Sequence, residues 1–147
     1  MTPNTILVPI DFSVCSENAL DYACMLAGKL GSTIHLVHVV GAGLPELGVA
    51  ISDERLREES EQRRANLDRL ADPRRVLAAI ATTTVVFGDP RDEILAAAKR
   101  LDADVIVMGT HGRRGLSRAV LGSVTESVLR RAECPVVAVR TKKAGAS

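Results

Sequence analysis

Aromatic side chains are almost missing from this chain: its 147 residues hold no tryptophan, one tyrosine and two phenylalanines. A stacking platform for single-stranded nucleic acid needs aromatic faces, so that class of function is excluded. An excess of charge is missing too. The 19 basic and 18 acidic residues leave a formal charge of +1, too little for a global field that would draw the chain to nucleic acid or a membrane surface. No apolar run reaches the roughly 20 residues of a membrane-spanning helix. The opening segment, MTPNTILVPIDFS, lacks a basic stretch followed by a signal-peptide core, and a cytoplasmic location is the expectation. Cysteine is scarce and odd in number. Cys15, Cys24 and Cys134 form no CxxC pair, which argues against a disulfide framework or a zinc knuckle. Cys15 falls near the expected start of the first helix, where a thiolate is favoured, although a small half-buried side chain is the simpler use of it.

What is present is aliphatic. The hydrophobic fraction of 46% rests on branched residues and alanine, and the length suits a single domain, 1–147, with 141–147 as a flexible tail. Thr5–Ile10 (TILVPI) reads as a first strand, with Pro9 near its end, where one missing donor is tolerable. Ser13 or Ser16 caps a helix running to about Lys29, ended by Gly28 or Gly31. Thr33–Val40 is a second strand, so the three pieces form a βαβ unit with parallel pairing and a right-handed crossover. His35 and His38, three apart on that strand, point to opposite faces and form no metal pair. Gly41–Ala50 reads as a loop. Ser52-Asp53 opens a charged helix whose Leu56, Leu67 and Leu70 are sparse, and Asp72-Pro73 breaks it and starts a short second helix. Thr82–Phe87 is a third strand, Arg91–Leu101 a helix, and Pro135–Arg140 a fifth strand. Strands alternating with helices predict an α/β domain with an open, five-stranded parallel sheet.

The stretch that organises the chain is Val105–Thr125, VIVMGTHGRRGLSRAVLGSVT. Four apolar residues, Val105 to Met108, suit a buried fourth strand. Gly109, Gly112 and Gly115 follow, and Gly122-Ser123 opens a helix whose body is Thr125–Ala132. Backbone N–H groups freed by glycine, the positive end of a helix dipole and the hydroxyls of Ser123 and Thr125 together make a phosphate cradle. The cradle is neither a P-loop, since no lysine precedes Ser123, nor a dinucleotide fingerprint, since the glycines run G-x-x-G-x-x-G. Gly109, Gly112, Gly122 and Ser123 instead spell G-x2-G-x9-G-S. Turns and a helix cap without a ligand are the plain alternative use of such glycines.

That spacing is the ATP-binding signature of the universal stress protein family, which the chain resembles along nearly its whole length. The resemblance implies strand order 3-2-1-4-5 with helices on both faces, a fold of the adenine-nucleotide alpha hydrolase-like kind. In that order a crevice opens between the carboxyl ends of the first and fourth strands, and ligands of doubly wound sheets sit there. Pro9, Ile10 and Asp11 would reach it from one strand, Met108 and Gly109 from the other. The resemblance further implies that ATP is the ligand. Gly109 and Gly112 would let ribose and phosphate approach, Gly122, Ser123, Val124 and Thr125 would hold the phosphates, and Asp11 and the backbone of Val39 would meet the adenine. Met108 would pack on the base. Local sequence alone suits Asp11 equally well as a helix cap, Val39 as a core valine and Met108 as core filling. His111, Arg113, Arg114 and Arg118 are auxiliary candidates near the phosphates. Magnesium would arrive with the nucleotide, near Ser123 or Thr125. The expected function is an ATP-responsive stress or regulatory module acting on an unidentified protein partner. Its alternatives are a slow ATPase, autophosphorylation on Ser117 or Ser123, and sensing of AMP or cyclic AMP. Fast hydrolysis is not expected, because no lysine, metal carboxylate and base come together in the sequence. The fifth strand, Pro135–Arg140, lies at a sheet edge in this order, and a homodimer through it is expected.

Overall fold

The apolar runs become strands because helices cover both of their faces. A computed structural model describes residues 3–41, 52–111 and 121–141. The strands are β1 (Thr5–Pro9), β2 (Thr33–Val40), β3 (Ala79–Phe87), β4 (Val105–Gly109) and β5 (Val136–Val139). They form one sheet in the order β3-β2-β1-β4-β5, with every pair parallel. The helices are α1 (Val14–Leu30), α2 (Asp53–Ala71), α3 (Pro90–Arg100) and α4 (Ser123–Arg131). Side chains alternate along each strand, so Ile6, Val8, Ile34 and Leu36 pack on one face against Leu20 of α1 and Leu67 of α2. Leu7, Val37, Ile106 and Met108 pack on the other, against Ile94 of α3 and Val128 of α4. Among the described residues no helix is long and apolar enough to cross a membrane.

Local chemistry sets the boundaries. Ser13 caps α1, its side chain accepting from Ser16 N–H, and Gly31 ends the helix in the left-handed conformation at φ 70°. Ser52 caps α2 and Asp89 caps α3 in the same way, with Pro90 at the first position of α3. The turn after α2 is a 3-10 helix, Asp72–Val76. β3 starts at Ala79, ahead of the expected Thr82. Ala79 and Ile80 pair with Thr33 and Ile34, and a register irregularity then skips Ala81, which hides the strand's first turn of pairing from the β-branched run. Asp104 ties the start of β4 to β1, its carboxylate accepting from the N–H groups of Asn4 and Thr5, both at 2.9 Å. His35 and His38 do lie on opposite faces. His35 Nδ1 meets Thr82 Oγ1 at 2.7 Å, while His38 is buried beneath Phe12.

Candidate functional site

β1 and β4 are hydrogen-bonded neighbours only near their beginnings, through Ile6–Val105 and Leu7–Ile106. Main-chain groups of successive strand residues point alternately to the two neighbouring strands. Ile10 N–H goes to Val37 O of β2 at 2.8 Å, so position 9 is turned towards β4, and Pro9 has no N–H to give. The two strands part there. The crevice expected at the switch point of the sheet is therefore opened by a specific residue of β1.

One wall is the turn from β1 into α1. Asp11 Oδ1 accepts from Ser13 N–H at 2.9 Å and from the Ser13 hydroxyl, so the carboxylate braces the cap while Ser13 itself occupies the cap position. Between them Phe12 adopts φ 64°, a conformation rare for a bulky side chain. Its ring rests on His38, with centroids 4.6 Å apart. His38 Nδ1 donates to Ile10 O at 2.7 Å, and Arg63 Nη1 approaches His38 Nε2 at 3.3 Å. Ile10 O is the acceptor that Val39 N–H would use if the β1–β2 ladder continued. Val39's N–H and C=O are thereby turned towards the mouth of the crevice with no described partner, while its side chain packs into the core.

The other wall runs from β4 to α4. Gly109 was expected to be glycine for the sake of a ligand, but the close approach that demands it is α1. A Cβ there would sit 2.7 Å from Cys15 Sγ and 2.9 Å from the Cys15 carbonyl carbon and oxygen. Thr125, expected to offer its hydroxyl to phosphate, is buried and donates it to Gly109 O at 2.7 Å. Met108 is buried among Val37, Ile94 and Val128, a core residue. Gly122 N–H donates to Thr110 O at 2.8 Å and holds the start of α4 against the end of β4. Gly122 is the N-cap of α4, with φ −60° and ψ 145°, and no side chain caps the helix. Among the described residues no side chain accepts from the first-turn N–H groups of Ser123, Val124 and Thr125, which lie beside the end of β4 at the positive end of the dipole. Ser123 is exposed beside them and Val124 is half-buried. Glu126, the acidic residue of that turn, is held by Arg130 at 2.7 Å.

Cys15 lies behind this wall. Its Sγ is 3.8 Å from Thr110 Oγ1 and 3.5 Å from Val139 O. Burial pushes the thiol up, but hydrogen bonds from the Thr141 and Thr110 side chains and from the main chain at His111 and Thr110 outweigh it, leaving the pKa below the ordinary cysteine value. His111 Nδ1 pairs with Thr110 Oγ1 at 3.0 Å. Gly112, Arg113, Arg114, Ser117 and Arg118 lie outside the described residues. The structure thus brings Pro9, Asp11, Val39, Gly109, Gly122, Ser123 and Thr125 around one opening. Thr110, Phe12 and His38, which hold that opening in shape, were not singled out from the sequence as site residues. The one signal for them was that two scarce residue types, a phenylalanine and a histidine, fall at the ends of adjacent strands.

A family model for the universal stress protein family matches residues 3–140. Universal stress protein MJ0531 of Methanocaldococcus jannaschii is 34% identical over 143 residues, covering 94% of this chain and 82% of the relative. The solved structure of protein MJ0577 superposes with a TM-score of 0.83 at 26% identity, covering 98% of this chain and 100% of the other. The universal stress protein of Archaeoglobus fulgidus in complex with dAMP gives a TM-score of 0.66 at 26% identity, over 95% and 99% of the two chains.

Proposed function

The chain belongs to the universal stress protein family, and from that premise we propose that it binds ATP in the crevice between β1 and β4 and acts as a nucleotide-responsive regulatory module. The observation that carries the reading is the uncapped first turn of α4, facing the point where the two strands separate. Three N–H groups at a positive helix end fit phosphate oxygens, with the exposed Ser123 hydroxyl beside them. Across the opening, the main chain of Val39 and the carboxylate of Asp11 fit the edge of an adenine. The dAMP bound to the A. fulgidus relative supports an adenine nucleotide as the ligand class. Magnesium would be held mainly by the phosphates, near Ser123. Binding then favours whichever state of the chain makes more of these contacts, and a partner that recognises that state is bound more tightly.

Mass spectrometry of the nucleotide that co-purifies, followed by calorimetric titration with ATP, AMP and cyclic AMP, tests the reading. ATP is expected to be the tightest of the three. Tighter binding of AMP or cyclic AMP would replace ATP as the signal. Long incubation with labelled ATP separates the chemical outcomes: label kept on the protein means autophosphorylation, ADP accumulation means hydrolysis, and neither is the expected result. A turnover above roughly 1 s⁻¹ would end the sensor reading.

The dimer belongs to the same proposal. β5 is at the sheet edge, and Pro135 O and Val139 O accept from β4 at Ile106 and Thr110. Val137 shares their parity and faces β4, so the outward donors are those of Val136 and Ala138. Ala138→Pro is therefore the substitution that reads the edge. It is expected to weaken self-association at least about tenfold by sedimentation, while leaving the β4–β5 ladder intact.

A further inference from the structure

β3 forms the edge of the sheet opposite β5. Gly88 N–H donates to Val40 O, so Val40 is the bonding residue and its register partner Phe87 turns its own N–H and C=O outward. The same alternation turns Val85 and Thr83 outward. Before the register irregularity the outward residue is Ile80, and its carbonyl accepts from Arg75 Nη1. Arg75 thus closes the first outward position. No described residue pairs with the outward main-chain groups of Thr83, Val85 or Phe87. The strand itself, AIATTTVVF, carries no charge and no proline, the devices that usually blunt an edge.

Beside this edge α2 and β3 enclose a groove of about 430 Å³, lined by Ser60, Arg64, Asp68 and Arg75 and by residues 81–85 of β3. Ser60, Arg64 and Asp68 are four apart and share one face of α2. Asp68 accepts the Thr83 hydroxyl at 2.7 Å, and Arg75 is paired with Asp72 at 3.1 Å. Arg64 is exposed and makes no ion pair with a described residue. A strand laid along β3 would place alternate side chains under that face of α2, one of them opposite Arg64.

We propose that the β3 edge docks an extended segment of a protein partner as a sixth strand, with a carboxylate side chain facing Arg64. The main-chain groups of Thr83, Val85 and Phe87 supply the ladder, and Arg64 selects for acid. The proposal does not depend on nucleotide binding, because Arg64 and the outward groups of β3 take no part in the contacts that shape the β1–β4 opening.

The test uses a fluorescein-labelled peptide of about eight residues, valine alternating with threonine or glutamate, beside the same peptide with lysine for glutamate. Anisotropy titration is expected to show the acidic peptide binding at least about tenfold more tightly, with Arg64→Glu reversing that preference. Amide exchange followed by NMR is expected to slow at Thr83, Val85 and Phe87 when the acidic peptide binds. Val85→Pro removes an outward donor, which an edge strand tolerates, and is expected to abolish binding in a protein that stays folded by circular dichroism. Should that variant unfold, Arg64→Glu carries the test alone. Equal binding of the two peptides, or binding unchanged by Arg64→Glu, overturns the proposal. Protection of the three amides without peptide also overturns it: a second copy occupies the edge if protection rises with protein concentration, and the chain covers its own edge if it does not.

Discussion

On the β1 wall of the crevice the polar side chains hold one another: Asp11 holds Ser13, and His38 holds the Ile10 carbonyl while meeting Arg63. On the β4 wall the glycine and threonine of the motif are also turned inward, Gly109 making room for Cys15 and Thr125 bonding Gly109 O. Among the described residues, what is left open is the main chain of Val39 and the start of α4, where Gly122 has no side chain with which to cap the helix. The difference separates scaffold from contact surface. Residues of one short motif serve opposite ends, some fixing the distance between elements and others facing the ligand.

Substitutions sharpen that division, beginning with the scaffold. Gly109→Val forces a branched side chain against the backbone of Cys15, and a loss of about 3 kcal/mol or more in chemical denaturation is expected. A stability change near zero would mean that α1 does not pack this closely. Thr125→Val keeps the shape but strands the buried Gly109 carbonyl, with an expected loss of about 1–3 kcal/mol by the same measurement. If it instead weakened ATP binding with stability unchanged, Thr125 would belong to the contact surface. Gly122→Val should do the reverse. Its φ and ψ suit any residue, so the fold is expected to survive, while a side chain at the helix mouth lowers ATP affinity at least about tenfold, or ~1.4 kcal/mol, by calorimetry. Unchanged affinity in the folded variant would remove α4 from the phosphate site. Ser123→Ala, at an exposed position, is expected to cost about threefold in affinity for ATP with magnesium and less than about 0.5 kcal/mol in stability. A larger effect on any turnover than on binding would give the hydroxyl a chemical role.

Much of this was legible in the residues. The continuous apolar runs at Thr5, Thr33 and Val105, the cap residues Ser13 and Ser52, and the Gly122-Ser123 helix start are local signals, and local backbone preference and hydrophobic burial honour them. Strand order 3-2-1-4-5 came through the motif's resemblance to a family and is the order observed. The start of β3 was hidden because Ala79 is extended by its pairing with Thr33, a partner far away in the chain. Which residues of β5 present their donors outward was hidden as well, because strand parity is unknown until the ladder with β4 is fixed.

The sequence by itself therefore determined the element order, the parallel class and the position of the open helix end, since each follows from composition and spacing within a few residues. Tertiary structure alone decided which groups of the motif are used up. Gly109 meets Cys15 across 94 positions of chain and Thr125 meets Gly109 across 16, and no local pattern says whether a donor so placed turns towards its neighbour or towards the opening. Those choices are made by distance and burial when α1, β4 and α4 come together: a buried donor takes the nearest carbonyl, and the N–H groups beyond its reach are what remain for a ligand.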